Sequence, residues 1–221
     1  MSAPSPLIFA ISGLGADKRV FNYLTLEHEL VPAEWIKPTP KESIIQYSKR
    51  LIKQYKIGDQ KEFGLLGVSF GGLIATEISK LTNPKFTILI SSVANRSELS
   101  GFIKVIGKSK LIELIPKKLL KPPKILASFM FGAKDKELLN AILDDTDLTF
   151  TKWAIRELFN WKNKSSVKNL IKISGTKDKL LPPKNNNDIL VDKGEHFMIV
   201  DRAQEISDII NEKIKTHYNN G

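Results

Sequence analysis

Residues 63–75 constrain the fold more than any other part of the sequence. Their first six positions are apolar and predict a buried strand, and the positions from 72 on have the spacing of a buried helix. Between them, residues 67–71 read Gly-Val-Ser-Phe-Gly, a G-x-S-x-G pattern that in a strand-turn-helix setting is typical of a nucleophile elbow. The turn would expose Ser69 at a helix N-terminus, where the helix dipole favours negative charge. A Gly-rich β–α turn with no catalytic role has the same pattern. The rest of the chain therefore has to distinguish a nucleophile elbow from an ordinary turn.

Alternating strand and helix patterns predict an α/β fold, a doubly wound, mostly parallel sheet of about six strands with helices on both faces. The apolar runs that predict strands cover residues 7–11, 30–36, 63–68, 86–90, 170–175 and 189–191. Pro32 favours an edge position for the second run. The strand count depends most on residues 181–188, a link that is short for a parallel crossover.

Apolar positions at helical spacing predict helices between these strands. They cover residues 18–28, 43–55, 70–81, 102–115, 125–131, 136–143 and 149–161, and a terminal helix from Asp201 to about residue 214. Asp17 and Asp201 are expected to act as N-caps. Since residues 95–161 show only helical patterns, we expect them to form a helical cap inserted into a core of residues 1–94 and 162–221.

Composition limits the class of protein. A chain of 221 residues with 42% hydrophobic and 26% charged residues is typical of one globular domain, and the lack of cysteine excludes disulfides and cysteine-based metal or redox sites. The first residues lack a basic n-region, and the apolar run 7–11 is too short for a signal sequence or a membrane span. We therefore expect a cytoplasmic protein without stable membrane insertion.

The net charge of +10 has two interpretations. A nucleic-acid partner is not expected, because we find no nucleic-acid motif, Arg-rich tract or basic strand interleaved with aromatic residues. We favour lysines spread over solvated surfaces, and the alternative is attraction to anionic partners. The predicted cap is the most basic segment, with Lys104, Lys108, Lys110, Lys117, Lys118, Lys121 and Lys124.

A serine hydroxyl needs a base, and the chain has only three histidines. His28 ends a predicted surface helix and His217 lies in the polar tail, whereas His196 follows the last strand and precedes the terminal helix. Ser69 and His196 therefore both follow the carboxyl end of a strand, where parallel sheets carry their sites. His196 is the predicted base, with a surface-loop histidine as the alternative.

The third predicted catalytic residue is an acid that orients His196. Asp178 follows the penultimate strand at its carboxyl end and gives the order Ser, Asp, His along the chain. A turn aspartate satisfied by local N–H groups is the competing interpretation. The other candidate acids are Glu98 and Asp192, the latter very near His196 along the chain.

An oxyanion would need two preorganised N–H donors. We expect one from Phe70, directly after the nucleophile, and one from Leu14 in the turn after the first strand. Gly13 and Gly15 would let this backbone approach a substrate, unless the glycines serve only to start the next helix.

Four ordered motifs carry a resemblance to the α/β-hydrolase superfamily, and to its small esterases in scale. They are residues 12–15, Ser-Gly-Leu-Gly; residues 67–71; residues 175–178, Gly-Thr-Lys-Asp; and residues 194–197, Gly-Glu-His-Phe. The chain differs from the family in three ways, one of which is a stretch after Asp178 that is shorter than usual. Ser12 stands where many members have histidine, and no segment corresponds to the family's first two antiparallel strands.

The resemblance implies a serine hydrolase that cleaves a small ester or related acyl bond, with a small-molecule acyl substrate and no metal or organic cofactor. The alternatives are a lyase with the same triad and a binding or sensing protein on the same fold. Apolar residues of the predicted cap would line an acyl pocket or only pack the cap onto the sheet. These residues are Phe102, Ile106, Leu114, Phe129 and Phe131.

Overall fold

The computed structural model describes residues 6–60, 62–99, 114–184 and 187–219, with side chains to residue 216. Six strands lie within these ranges: β1 (Leu7–Ile11), β2 (Leu30–Pro32), β3 (Phe63–Val68), β4 (Phe86–Ile90), β5 (Leu170–Gly175) and β6 (Ile189–Val191). They form one sheet in the order β2-β1-β3-β4-β5-β6, and each neighbouring pair is parallel. The predicted fold class and strand count are confirmed. β6 pairs parallel with β5 although the link between them is short.

Seven α-helices lie in the described ranges: α1 (Ile44–Tyr55), α2 (Phe70–Thr82), α3 (Lys124–Phe131), α4 (Lys136–Asp145), α5 (Leu148–Asn160), α6 (Met198–Asp201) and α7 (Ala203–Asn219). Short 3-10 helices cover Lys18–Phe21, Arg96–Glu98 and Lys117–Leu120. At the start of α1, Ser43 and Gln46 form a capping box, which satisfies N–H groups that the helix itself leaves unpaired. None of the described helices combines the length and the apolar character that crossing a bilayer requires.

The sheet divides the core into two layers because successive strand residues point to opposite faces. In β1, Ile8 belongs to the layer that α7 covers, and Phe9 belongs to the layer that α1 and α2 cover. All residues of the central strands β3 and β4 are buried. Apolar side chains on both faces are typical of a parallel sheet between helices, which explains why the continuous apolar runs predict strands so well.

The first predicted helix is wrong in type and length. Asp17 does cap it, accepting a hydrogen bond from the N–H of Arg19, but only the 3-10 helix Lys18–Phe21 forms. Beyond it, the N–H of Thr25 donates to Ser207 Oγ and the N–H of Glu27 donates to the side chain of Asn211. Tertiary bonds to α7 thus replace the helical bonds that the apolar spacing predicts.

Asp201 is not the N-cap of the terminal helix. It ends α6, and α7 begins two residues later at Ala203. The Asp201 carboxylate accepts hydrogen bonds from the N–H groups of Lys134 and Asp135, just before α4. The carboxylate therefore caps a loop distant in sequence rather than its own helix.

Between β4 and β5, helices occupy most of residues 114–160, which we call the helical segment. Its helices α3, α4 and α5 match three predicted helices to within a few residues. The predicted helix 102–115 falls almost entirely outside the described residues, as do Phe102, Ile106, Lys104, Lys108 and Lys110. The division into core and cap remains a prediction.

Candidate active site

Ser69 lies at the turn between β3 and α2 with φ 51° and ψ −120°, a conformation that non-glycine residues rarely adopt. Neighbouring strands hold it there. Its N–H donates to the carbonyl of Ile90 at 3.0 Å, and its carbonyl accepts from the N–H of Gly72 at 3.0 Å and from Ser92 Oγ at 2.6 Å. These bonds stabilise a strained backbone that presents a partly exposed hydroxyl.

The turn requires glycine for steric reasons. A Cβ at Gly71 would lie 2.1 Å from the carbonyl oxygen of Ser12, and one at Gly67 would lie 2.6 Å from the Cα of Gly72. Since backbone atoms block both positions, no side-chain rotation would relieve the overlap. The G-x-S-x-G pattern therefore reflects the close approach of β1, β3 and α2.

His196 reaches Ser69 from the loop after β6. Its Nε2 lies 2.8 Å from Ser69 Oγ, and the residue is only 5% exposed. The ring also packs against Phe131 at the end of α3, with centroids 5.6 Å apart, and the N–H of Phe197 donates to the Phe131 carbonyl. The helical segment is thus in contact with the candidate base.

Asp178 completes the chain of contacts. Its Oδ2 lies 2.8 Å from Nδ1 of His196, and its Oδ1 accepts from the N–H groups of Leu180 and Leu181. Burial raises the pKa of Asp178, but the hydrogen bond and charge of His196 and the two backbone donors outweigh this effect and bring the pKa below its ordinary 3.8. A carboxylate at this position holds the proton on Nδ1, so the Nε2 lone pair faces the serine.

The other candidate acids lie elsewhere. Glu98 forms a buried ion pair with Lys172 and caps the N–H of Asn95, so its carboxylate is already used. Asp192 is exposed. The structure therefore excludes both as the partner of His196.

The turn of residues 12–15 lies beside the nucleophile. A Cβ at Gly13 would be 3.4 Å from the Cβ of Ser69. Phe70 is the first residue of α2, so its N–H has no partner within the helix. Ser12 Oγ donates to the carbonyl of Ala16 at 2.9 Å and braces this turn. That Leu14 and Phe70 supply oxyanion donors remains a prediction.

Sequence reasoning missed two supporting groups. One is Ser92, which holds the Ser69 carbonyl and whose position after β4 gives no special signal. The other is a buried charge cluster in which Lys172 of β5 pairs with Glu98 and, at 2.9 Å, with Asp188. A lysine within an apolar run does signal a buried partner. Among the described residues, no group of three or more His, Asp or Glu is placed to hold a metal ion.

All the candidate groups follow the carboxyl ends of parallel strands, namely β1, β3, β5 and β6, and so lie at one edge of the sheet. In this parallel sheet the elbow serine follows β3, the acid follows β5 and the histidine follows β6, which is the order Ser, Asp, His of the α/β-hydrolase fold. The chain has this fold.

Many solved structures share it. A thermophilic esterase from Thermogutta terrifontis superposes with a TM-score of 0.74 at 12% identity, covering 97% of this chain and 91% of that one. An esterase from Exiguobacterium antarcticum superposes with a TM-score of 0.70 at 15% identity, covering 96% of this chain and 93% of that one. RedJ, a thioesterase of the prodiginine biosynthetic pathway in Streptomyces coelicolor, superposes with a TM-score of 0.67 at 14% identity, covering 96% of this chain and 86% of that one. No protein-family model and no curated protein matches the sequence.

Proposed function

We propose that the protein is a serine hydrolase that cleaves a small carboxylic ester or a related acyl bond. One observation carries the proposal: hydrogen bonds run without a break from Asp178 through His196 to Ser69, whose hydroxyl stands at the start of α2. This arrangement activates an otherwise poor nucleophile. The esterases and the thioesterase among the structural neighbours support acyl transfer as the reaction class.

In the first half of the reaction, Ser69 Oγ attacks the acyl carbon while His196 Nε2 takes the hydroxyl proton. The carbonyl oxygen becomes an oxyanion, which the N–H groups of Phe70 and Leu14 stabilise. One such donor contributes about 3 kcal/mol to lowering the barrier. The protonated His196 then gives its proton to the leaving alcohol or thiol as the bond to the acyl carbon breaks, and an acyl-enzyme remains.

In the second half, water attacks the acyl-enzyme while His196 takes one of its protons. The tetrahedral intermediate collapses, the proton returns to Ser69 Oγ, and the carboxylic acid leaves. Asp178 keeps its charge throughout, orienting the imidazole and stabilising the imidazolium. The steps need only side chains, backbone N–H groups and water.

We also propose that the helical segment serves as the cap of this site. It touches the catalytic edge through several residues: Phe131 packs against the ring of His196, Phe150 packs against the ring of Phe70, and Thr146 Oγ1 lies 3.1 Å from the carbonyl oxygen of Gly15. Of the apolar residues considered for an acyl pocket, Phe131 is therefore the best placed. Leu114 and Phe129 are mostly exposed, so neither packs the helical segment onto the sheet.

The test is covalent labelling with a fluorophosphonate probe together with turnover of p-nitrophenyl esters of increasing acyl length. Ser69→Ala should abolish labelling and lower kcat by about 10⁴-fold or more. Ser165→Ala, at an exposed serine on the loop before β5, is the matched control and should behave as the wild type. Undiminished labelling of Ser69→Ala would contradict the assignment. Tight binding of esters with no product would instead favour a binding protein.

A further inference from the structure

The helical segment carries four strongly exposed apolar side chains. Leu114, Leu119, Ile125 and Phe129 are 80%, 74%, 88% and 64% exposed. Among the described residues no other large hydrophobic side chain exceeds 55%. Ile125 and Phe129 lie one turn apart on the same face of α3. Since a folded monomer rarely leaves so many large apolar side chains of one stretch in water, this group indicates a binding surface.

The same stretch is strongly basic. Residues 114–133 contain four lysines and no acidic residue. Lys121 and Lys124 both pair with Asp144, at 3.1 and 2.6 Å, and Lys117 bonds Thr149 near the start of α5. We call the four apolar residues and Lys117, Lys118, Lys121 and Lys124 the exposed patch.

The exposed patch extends towards the catalytic edge. Beside it lies a concavity of about 540 Å³ that is lined in part by Ile125, Phe129, Lys136 and Lys179. Lys179 directly follows Asp178, and its ammonium lies 4.8 Å from the centre of the Phe129 ring.

Positive charge dominates the patch and concavity. The patch and the lining of the concavity hold six lysines, and the carboxylates that pair with them among the described residues are those of Asp144 and Glu195. The surface is therefore complementary to a dense array of anions.

We propose that the exposed patch docks the protein on an anionic lipid surface. Apolar side chains that project this far can insert among lipid chains, whereas grooves that receive a partner helix shield their apolar side chains in part. Lysines around them would contact lipid phosphates, and each adds about fivefold to the affinity for an anionic leaflet. Such docking is peripheral and agrees with the lack of a described membrane-spanning helix.

The experiment is cosedimentation of the full chain with vesicles of phosphatidylcholine alone or with about one third phosphatidylserine. The wild type should bind the anionic vesicles at least about fivefold more tightly than the neutral ones, and added salt should reduce the difference. The double variant Leu119→Ser/Ile125→Ser should lose about tenfold in affinity through its apolar contacts. Lys118→Glu should lose about tenfold through its charge.

Controls keep the outcomes separate. Leu81→Ser changes an exposed apolar residue on α2, and Lys53→Glu changes an exposed basic residue on α1. Both variants lie outside the exposed patch and should bind as the wild type. Ser69→Ala should also bind fully, because docking does not depend on the proposed hydrolysis. Turnover of a soluble ester within about twofold of the wild-type rate would show that the double variant is folded.

Three results would overturn the proposal: no binding of the wild type to either vesicle, equal binding to both, or undiminished binding of the double variant. Gel filtration tests the main alternative, in which a second copy of the chain occupies the exposed patch. A dimer that Leu119→Ser/Ile125→Ser converts to a monomer would assign the patch to a second copy of the chain.

Discussion

Asp178 holds the imidazole of His196 through a contact of 2.8 Å between Oδ2 and Nδ1, and both residues are at least 95% buried. The second oxygen of the same carboxylate accepts two backbone N–H groups, from Leu180 and Leu181. With both oxygens engaged, the carboxylate has little freedom to rotate. The ring of His196 is consequently fixed with Nε2 towards Ser69.

Replacing the acid should disable the base without unfolding the chain. In Asp178→Asn an amide takes the place of the carboxylate, so that the imidazolium loses its counter-charge and the Nδ1–H tautomer is no longer enforced. We expect kcat for a p-nitrophenyl ester to fall by about 10³- to 10⁴-fold, with an unchanged circular dichroism spectrum. A loss of less than tenfold would show that another group orients His196.

The lowered pKa of Asp178 predicts a pH-dependent share of stability. A carboxyl group whose folded-state pKa lies below its ordinary 3.8 stabilises the fold above that pH and loses this contribution as the pH falls through the folded-state value. The wild type should therefore be more stable than Asp178→Asn near neutral pH, and the difference should shrink below pH 3.8. Urea denaturation of both proteins across this range measures it, and a constant difference would contradict the prediction.

Much of the fold follows from local patterns in the sequence. The strands lie in mostly apolar runs, and the central strands β3 and β4 are fully buried because helices cover both faces of the parallel sheet. The candidate site follows from topology: parallel strands point their carboxyl ends to one edge, so Ser69, Asp178 and His196 converge although 127 positions separate the first from the last.

What the sequence does not predict depends on tertiary contacts. The helical spacing after Asp17 is overridden by bonds from Thr25 and Glu27 to α7. The carboxylate of Asp201 finds donors before α4, distant in sequence. A local pattern contains neither partner, and the same holds for Ser92, whose role exists only because β4 passes behind the elbow.

Two glycines near the nucleophile should respond differently to alanine. At Gly71 the added methyl would lie 2.1 Å from a backbone oxygen, and we expect Gly71→Ala to lose about 3 kcal/mol or more of stability. At Gly13 the nearest atom would be 3.4 Å away, an ordinary contact. Gly13→Ala should fold but place its methyl beside Ser69, and kcat/KM should fall by about tenfold to a hundredfold.

Thermal denaturation and ester turnover distinguish these outcomes. Gly58→Ala is unsuitable as a control, because that residue has φ 96° and would add strain of its own. Equal activity of Gly13→Ala and the wild type would remove the turn of residues 12–15 from the oxyanion site.

Ser92 should act as a positioning residue for the elbow. Its hydroxyl donates to the Ser69 carbonyl at 2.6 Å, and it lies behind the turn rather than at the exposed hydroxyl. Without this bond the strained turn can relax, so Ser92→Ala should lower kcat by about tenfold with KM nearly unchanged. The slower rate of fluorophosphonate labelling of Ser69 should parallel the drop in kcat. A raised KM with constant kcat would mean that Ser92 contacts substrate.

Lys172 tests whether the buried charge cluster serves the fold rather than the chemistry. Its ammonium pairs with Glu98 and Asp188, all three side chains are at most 6% exposed, and Ser174 donates to Asp188 at 2.8 Å. Lys172→Met keeps most of the stem but leaves two buried carboxylates without a counter-charge, which costs about 3–5 kcal/mol in comparable cases. Urea denaturation should show this loss, and adding Glu98→Gln should restore part of it by removing one of the uncompensated charges. At a temperature where the variant stays folded, kcat should remain within about twofold of the wild type. The reason is that the hydrogen bonds between Asp178, His196 and Ser69 involve no residue of this cluster. A large fall in kcat of the fully folded variant would instead show that the buried charge cluster helps to position His196.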